Sequence, residues 1–334
     1  MYIRLLRLLS VTLLAGLLIA CAGSSKAPSP SAFLAPFDPA QGQLPEGLAV
    51  GKGALFVGMA PSSQVFRVTP DGKASPYGQL PQVPPGNGFM TGIALDAKGN
   101  LYVALASFVP EVQTGIYRIT RGGGQGVLFA SDKAMALPNA LAFDKKANLL
   151  ISDSFAAAVF KVTPDGKASK WLEHPLLKGD KNACPPAVLP FDIGANGLAF
   201  GNKSDLFVLN TDQGTVVRVP VKRDGSPGTP EVFAGPDCAN LKGADGLAID
   251  SKGNLYVGVN FPNKLVKMGK DKKVTVLESG GLLDGPANIA FGVGKQAKTL
   301  YIANFAFLSA QTPGGKPLPG ILKKEIGVAG RPLP

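Results

Sequence analysis

Four residues have the types and positions to do chemistry: Glu46, Asn139, Asn196 and Asp245. Each opens a short apolar stretch, in Glu46-Gly-Leu-Ala-Val, Asn139-Ala-Leu-Ala-Phe, Asn196-Gly-Leu-Ala-Phe and Asp245-Gly-Leu-Ala-Ile. Two carboxylates and two carboxamides are hard oxygen donors, a set that suits Ca²⁺ with water or substrate completing its shell. Another divalent cation of the same preference would also fit, but zinc and copper would not, because no His or Cys accompanies the four. Asn288, in Asn288-Ile-Ala-Phe, is a candidate fifth contributor, and Thr91 is a poor one. Asx and Gly before a strand are also ordinary turn formers, so turn chemistry is a second reading of each anchor.

The elements that would position these residues recur along the chain. In Asp245-Gly-Leu-Ala-Ile-Asp-Ser-Lys-Gly-Asn-Leu-Tyr-Val, a short strand, a polar turn ending in Gly-Asn and a returning strand make a hairpin. Related hairpins begin at Glu46, Thr91, Asn139, Asn196 and Asn288, at intervals of 45, 48, 57, 49 and 43 residues. A second hairpin follows in most copies, as in Gln64-Val-Phe-Arg-Val and Val159-Phe-Lys-Val, each continued by Thr-Pro-Asp-Gly-Lys. Four strands per copy and six copies specify an all-β fold, a six-bladed β-propeller of four-stranded antiparallel blades. If each first strand starts at one face, here called the top, its hairpin partner ends there too. The anchors then converge at the top of the central channel. Residues closing the second strands lie nearby, which makes Ser154, Asn210, Asn260 and Asn304 candidates for an additional pocket.

Residues 1–20 read as a signal segment, with Arg4 and Arg7 before the apolar run Leu8–Ala20. Leu18-Ile-Ala-Cys21 has the form of a bacterial lipobox, so Cys21 is the expected acylation site. Residues 21–40 form a Ser/Pro/Ala-rich tether and 41–334 the propeller. Phe33–Phe37 is a candidate outer strand for closing the ring, and Ile321–Ile326 a candidate third strand of blade six. These features imply a monomeric propeller on the bacterial cell envelope, at the outer membrane of a Gram-negative cell, facing the periplasm or the exterior. The formal net charge is +11, but the lysines are spread over turns and no aromatic-plus-basic stripe suggests nucleic acid. Cys184 and Cys238 remain as a pair in an oxidising compartment. Both lie in connections crossing the top face, so they are a candidate disulfide.

The repeats and anchors resemble the senescence-marker-protein/gluconolactonase family of six-bladed propellers, on Pro45-Glu46-Gly, Pro138-Asn139-Ala, Ala195-Asn196-Gly and Ala244-Asp245-Gly. The resemblance spans about Leu44–Asn304, with Ala140 departing from the Gly usual after such an Asn. It implies a calcium-dependent lactonase or esterase acting on a small lactone or ester. Asp245 would be both ligand and general base, and the metal would polarise the carbonyl. His174 is the single histidine and reads as a rim residue, and no Gly-x-Ser-x-Gly elbow supports a serine hydrolase. The competing readings are a non-catalytic binding propeller similar to Asn-His-Leu repeat domains, or a strictosidine-synthase-like propeller whose catalytic Glu has no counterpart here.

Overall fold

The computed structural model describes residues 29–201 and 205–332. The signal segment, Cys21 and the tether up to residue 28 lie outside them. Six sheets are arranged around one axis, four-stranded and antiparallel except that Gly124–Gln125 adds a short parallel edge strand to blade one, and each blade places its first strand innermost. The inner strands are Pro45–Gly51, Gly88–Leu95, Pro138–Phe143, Ala195–Phe200, Ala244–Ile249 and Pro286–Phe291. Blades one to five then run outward in chain order. The one α-helix among the described residues is the five-residue Phe307–Gln311.

Blade six is closed by both chain ends. Its third strand is Gly320–Glu325, and its outermost is Ala32–Pro36, antiparallel, with Ala32 opposite Lys323 and Pro36 opposite Gly320. The tether therefore gives way to the propeller at Ala32, before the expected boundary at residue 41. Pro-rich composition masks a strand that needs only its alternate residues, such as the buried Ala35, to face the sheet. Buried Lys324 holds this seam, donating from Nζ to Ser29 O and to Glu278 Oε2, both at 2.8 Å. Glu278 also accepts from Ser31 Oγ at 2.8 Å.

The core is distributed between blades. Val57, Met59 and Phe66 of blade one pack with Tyr301 and Ile321 of blade six, for example, and Leu209 and Val216 of blade four with Val257 and Val266 of blade five. Each blade hides its two faces only against its neighbours, so the ring stabilises itself by closing.

One irregularity repeats in every inner strand. The pairing register shifts between Pro45 and Gly47, Met90 and Ile93, Pro138 and Leu141, Ala195 and Leu198, Ala244 and Leu247, and Pro286 and Ile289. A β-bulge inserts one extra residue and re-aims the side chain it carries. Each chemical anchor, and Thr91 in blade two, sits inside such a bulge.

Cys184 and Cys238 form a disulfide with Cα atoms 5.3 Å apart, joining the connection into blade four to the connection into blade five. It closes a loop across 54 residues, which the chain-entropy picture values at about 4 kcal/mol. Replacing both cysteines by serine should lower the melting temperature, and the wild type should fall to the same value under reductant. Calorimetry with and without reductant checks this, and a melt indifferent to reduction would contradict it.

Candidate functional site

The five bulge residues Glu46, Asn139, Asn196, Asp245 and Asn288 line one central cavity of about 730 Å³. Glu46, Asn139 and Asn196 are buried, while Asp245 and Asn288 keep partial contact with the space of the channel. Their backbones are held close to the next blade. A Cβ at Gly197 would lie 2.0 Å from Asp245 O, and one at Gly246 would lie 2.2 Å from Ala287 O, so the residue after these anchors must be glycine. Blade three uses Ala140 instead. Its N–H donates to Ser152 Oγ at 3.0 Å and its methyl group packs with Leu150, Ala195 and Leu198.

A second layer orients the amides. Asn139 Nδ2 donates to Ser154 Oγ at 3.1 Å, and Ser154 Oγ donates to Ala195 O at 2.7 Å. Blade four repeats the pattern, with Asn196 Nδ2 donating to Thr211 Oγ1 at 3.0 Å and Thr211 Oγ1 to Ala244 O at 2.8 Å. Because each hydroxyl spends its proton on a carbonyl of the following blade, it can only accept from the Asn. That fixes the NH₂ on its side and leaves the amide oxygen on the opposite one. In blade five Asn260 Nδ2 donates to Asp245 Oδ2 at 2.8 Å.

The second-strand candidates separate into two registers one residue apart. Ser154 and Asn260 touch the anchors, as does Thr211, which sequence reasoning missed. Asn210 and Asn304 do not reach the site. They lie opposite Ala195 and Pro286, one residue before each anchor's bulge, and alternation along a strand turns them to the other face. Asn210 Nδ2 holds Leu176 O and Lys178 O, and Asn304 Nδ2 holds Leu282 O and Leu318 O, so both brace incoming loops. The polar residue following Asn210 was the available signal for Thr211. His174 stays on the rim, its Nδ1 accepting from Leu176 N at 3.2 Å.

The electrostatics are those of an acid pair away from water. Burial, and after it the repulsion of Asp245, raises the Glu46 carboxyl well above the ordinary carboxylate range. Burial pushes Asp245 up to about 6, against the Asn260 and Asn196 amides, which pull it down. Glu46 Oε2 and Asn196 Oδ1 are buried with no hydrogen-bond partner. Unsatisfied acceptors beside two carboxyls are what a bound cation would satisfy, and oxygens alone meet the donor preference of calcium. Among the described residues no group of three or more His, Cys, Asp and Glu is placed to hold a metal, so the set depends on its amides.

Each of the six inner strands also gives the cavity wall an alanine: Ala49, Ala94, Ala142, Ala199, Ala248 and Ala290. Small side chains at one level of all six blades keep the channel open below the anchors. The top-face segments around Phe108 and Phe191 contribute no residue to this wall.

Residues 187–306 match the family model described as SMP-30/Gluconolactonase/LRE-like region. The match is a resemblance of that stretch to the family. Among solved structures, the chain is similar to a protein assigned as a gluconolactonase (18% identity, 90% of this chain and 93% of that one, TM-score 0.64). It is also similar to regucalcin, a calcium-binding protein from Agrobacterium tumefaciens (16%, 87% and 93%, TM-score 0.61). A streptogramin B lyase is a further likeness (12%, 90% and 100%, TM-score 0.57). At these identities the likeness shows the fold, a six-bladed β-propeller. No curated protein matches the chain.

Two outcomes follow from this geometry. In the metal-free protein both acids are raised, so the folded state holds protons that the unfolded chain has released. Stability should fall as pH rises from about 4 through 6, by on the order of 3 kcal/mol for Asp245. Melting curves in chelator should show this slope, and Glu46→Gln and Asp245→Asn should flatten it. Separately, Thr211→Val strands Ala244 O and Asn196 Nδ2 together and should cost about 1–3 kcal/mol in denaturant unfolding. Thr211→Ser should recover the loss, and equal stability of the two variants would remove the clasp.

Proposed function

We propose that the protein is a calcium-dependent hydrolase of lactones or related esters, with Glu46, Asn139, Asn196 and Asp245 as the metal's protein ligands. The observation that carries this reading is the pair of unpartnered buried acceptors, Glu46 Oε2 and Asn196 Oδ1, facing a cavity shared with Asp245. The family match supports the reaction class, and the likeness to a calcium-binding protein supports the metal.

Bound calcium would supply Lewis acidity to a lactone or ester carbonyl and charge to its developing oxyanion. Asn139 and Asn196 present neutral oxygens whose direction is set by Ser154 and Thr211, so the site needs little reorganisation to form. Asp245 is oriented by Asn260 through Oδ2. Beside the metal, its carboxylate is the group placed to accept a proton from an attacking water. On this reading acylated Cys21 holds the propeller at a bacterial cell envelope.

The test combines melting curves with a panel of lactones and aryl esters, with calcium and with chelator. Calcium at 100 times its Kd should stabilise the wild type by about 2.7 kcal/mol. Asp245→Asn should lose both the shift and the hydrolysis, while Asn139→Ala should weaken binding less, since water can replace a neutral oxygen. Indifference of both readouts to calcium would sink the site, and a calcium-dependent melt with no hydrolysis would leave the site and remove the enzyme.

A further inference from the structure

The cavity does not end at the anchors. It follows the inner strands down the channel, and the exposed residues lining it all lie on the face opposite the anchors, in the turns after Phe143 and Phe291, the connection at 221–225, and the C-terminal segment. Four of them are Lys145, Lys146, Lys222 and Arg223, from two neighbouring blades. None of the four makes a salt bridge among the described residues. Asp144, the carboxylate beside them, is occupied: its Oδ1 accepts from Lys146 N and Asn148 N, and its Oδ2 from Asn148 Nδ2. Asp224 accepts Ser226 N and Oγ. The mouth is also shaped, because Trp171 Nε1 fixes the 221–228 turn by donating to Gly225 O at 2.8 Å.

Between this mouth and the anchors the wall is the alanine ring with its flanking Leu, Ile, Val and Phe side chains. At about 3.3 Å per residue, Asn139 to Phe143 spans about 13 Å, and Lys145 stands in the turn beyond. The far end is closed to anions by two carboxyls and by the unpartnered acceptors Glu46 Oε2 and Asn196 Oδ1. An elongated ligand entering here therefore meets positive charge, then apolar wall, then acceptors that repel a second anion.

We propose that the channel is a binding site for a medium-chain alkyl carboxylate, its head at Lys145, Lys146 and Arg223 and its alkyl chain along the alanine ring. Charge complementarity sets the orientation, and the apolar wall sets the chain. Lysine and arginine at a mouth alone would take any anion; the space behind them, kept free by small side chains in all six blades, selects one carrying a tail. The site stands whether or not the anchors hold a metal, because it uses none of them as a ligand.

Isothermal titration of the chain with dodecanoate, in chelator so that the metal reading is not engaged, tests the proposal. The expected result is saturable one-to-one binding, with no saturable binding of acetate or dodecyltrimethylammonium. The triple variant Lys145→Glu, Lys146→Glu, Arg223→Glu changes exposed side chains and should weaken dodecanoate about tenfold or more. Ala142→Leu should weaken it by narrowing the ring, and a melting curve of that variant checks that the fold is kept. No saturable binding by the wild type would overturn the site. Equal affinity for the cationic amphiphile, or an unchanged affinity in the triple variant, would reduce it to non-specific apolar contact and overturn it too.

Discussion

The bulge at the head of each inner strand is the constraint from which the site follows. A regular strand alternates its side chains between the two faces of a blade, and in a propeller both faces pack against neighbours. An extra residue at the same register breaks that alternation next to the axis and turns Glu46, Asn139, Asn196 and Asp245 into the channel, with Asn288 joining them from one residue further along its bulge. The close approach of neighbouring blades at Gly197 and Gly246 is the counterpart of this geometry. Without the bulge, an Asn or Asp at these positions would face an apolar blade interface and cost its full desolvation.

The hydroxyls of Ser154 and Thr211 tie this local geometry to the ring as a whole. Each links the amide of its own blade to the main chain of the next, so the direction of a candidate ligand depends on the spacing between blades. Thr91 makes the same reach from blade two, donating to Pro138 O at 2.7 Å without carrying an anchor. The clasp is thus a property of the fold, and the candidate site reuses it. The desolvated acid pair stands against this rigid frame, which gives Glu46 and Asp245 little freedom to move apart.

The repeated Leu-Ala-hydrophobic strand and its Gly-Asn turn made the six blades legible, because alternation and turn chemistry are local properties of the chain. The convergence of Glu46, Asn139, Asn196 and Asp245 on one cavity was legible for the same reason: they share a register. Asn288 reaches the cavity from one residue later in its bulge, where Ala287 holds the anchor position. What the alternation could not reveal is which of two adjacent residues at the end of the second strand faces the anchor, because the bulge shifts that pairing by one. Asn210 and Thr211 differ by this single step, and only the pairing of Ala195 with Asn210 resolves them. The outer strand Ala32–Pro36 was also obscure, since its partner lies at the other end of the chain.

That last pairing has a consequence for how the molecule comes into being. Ala32 and Lys323 are neighbours in blade six and 291 residues apart in sequence. The strand emerging first during synthesis has to wait for nearly the whole chain before it finds its edge. Blades one to five can form in order of appearance, but blade six cannot be completed by any growing chain, and until then its edge is open to strangers. Lys324 and Glu278 meet at this seam, so the last sheet to be finished receives a buried ion pair as its fastener.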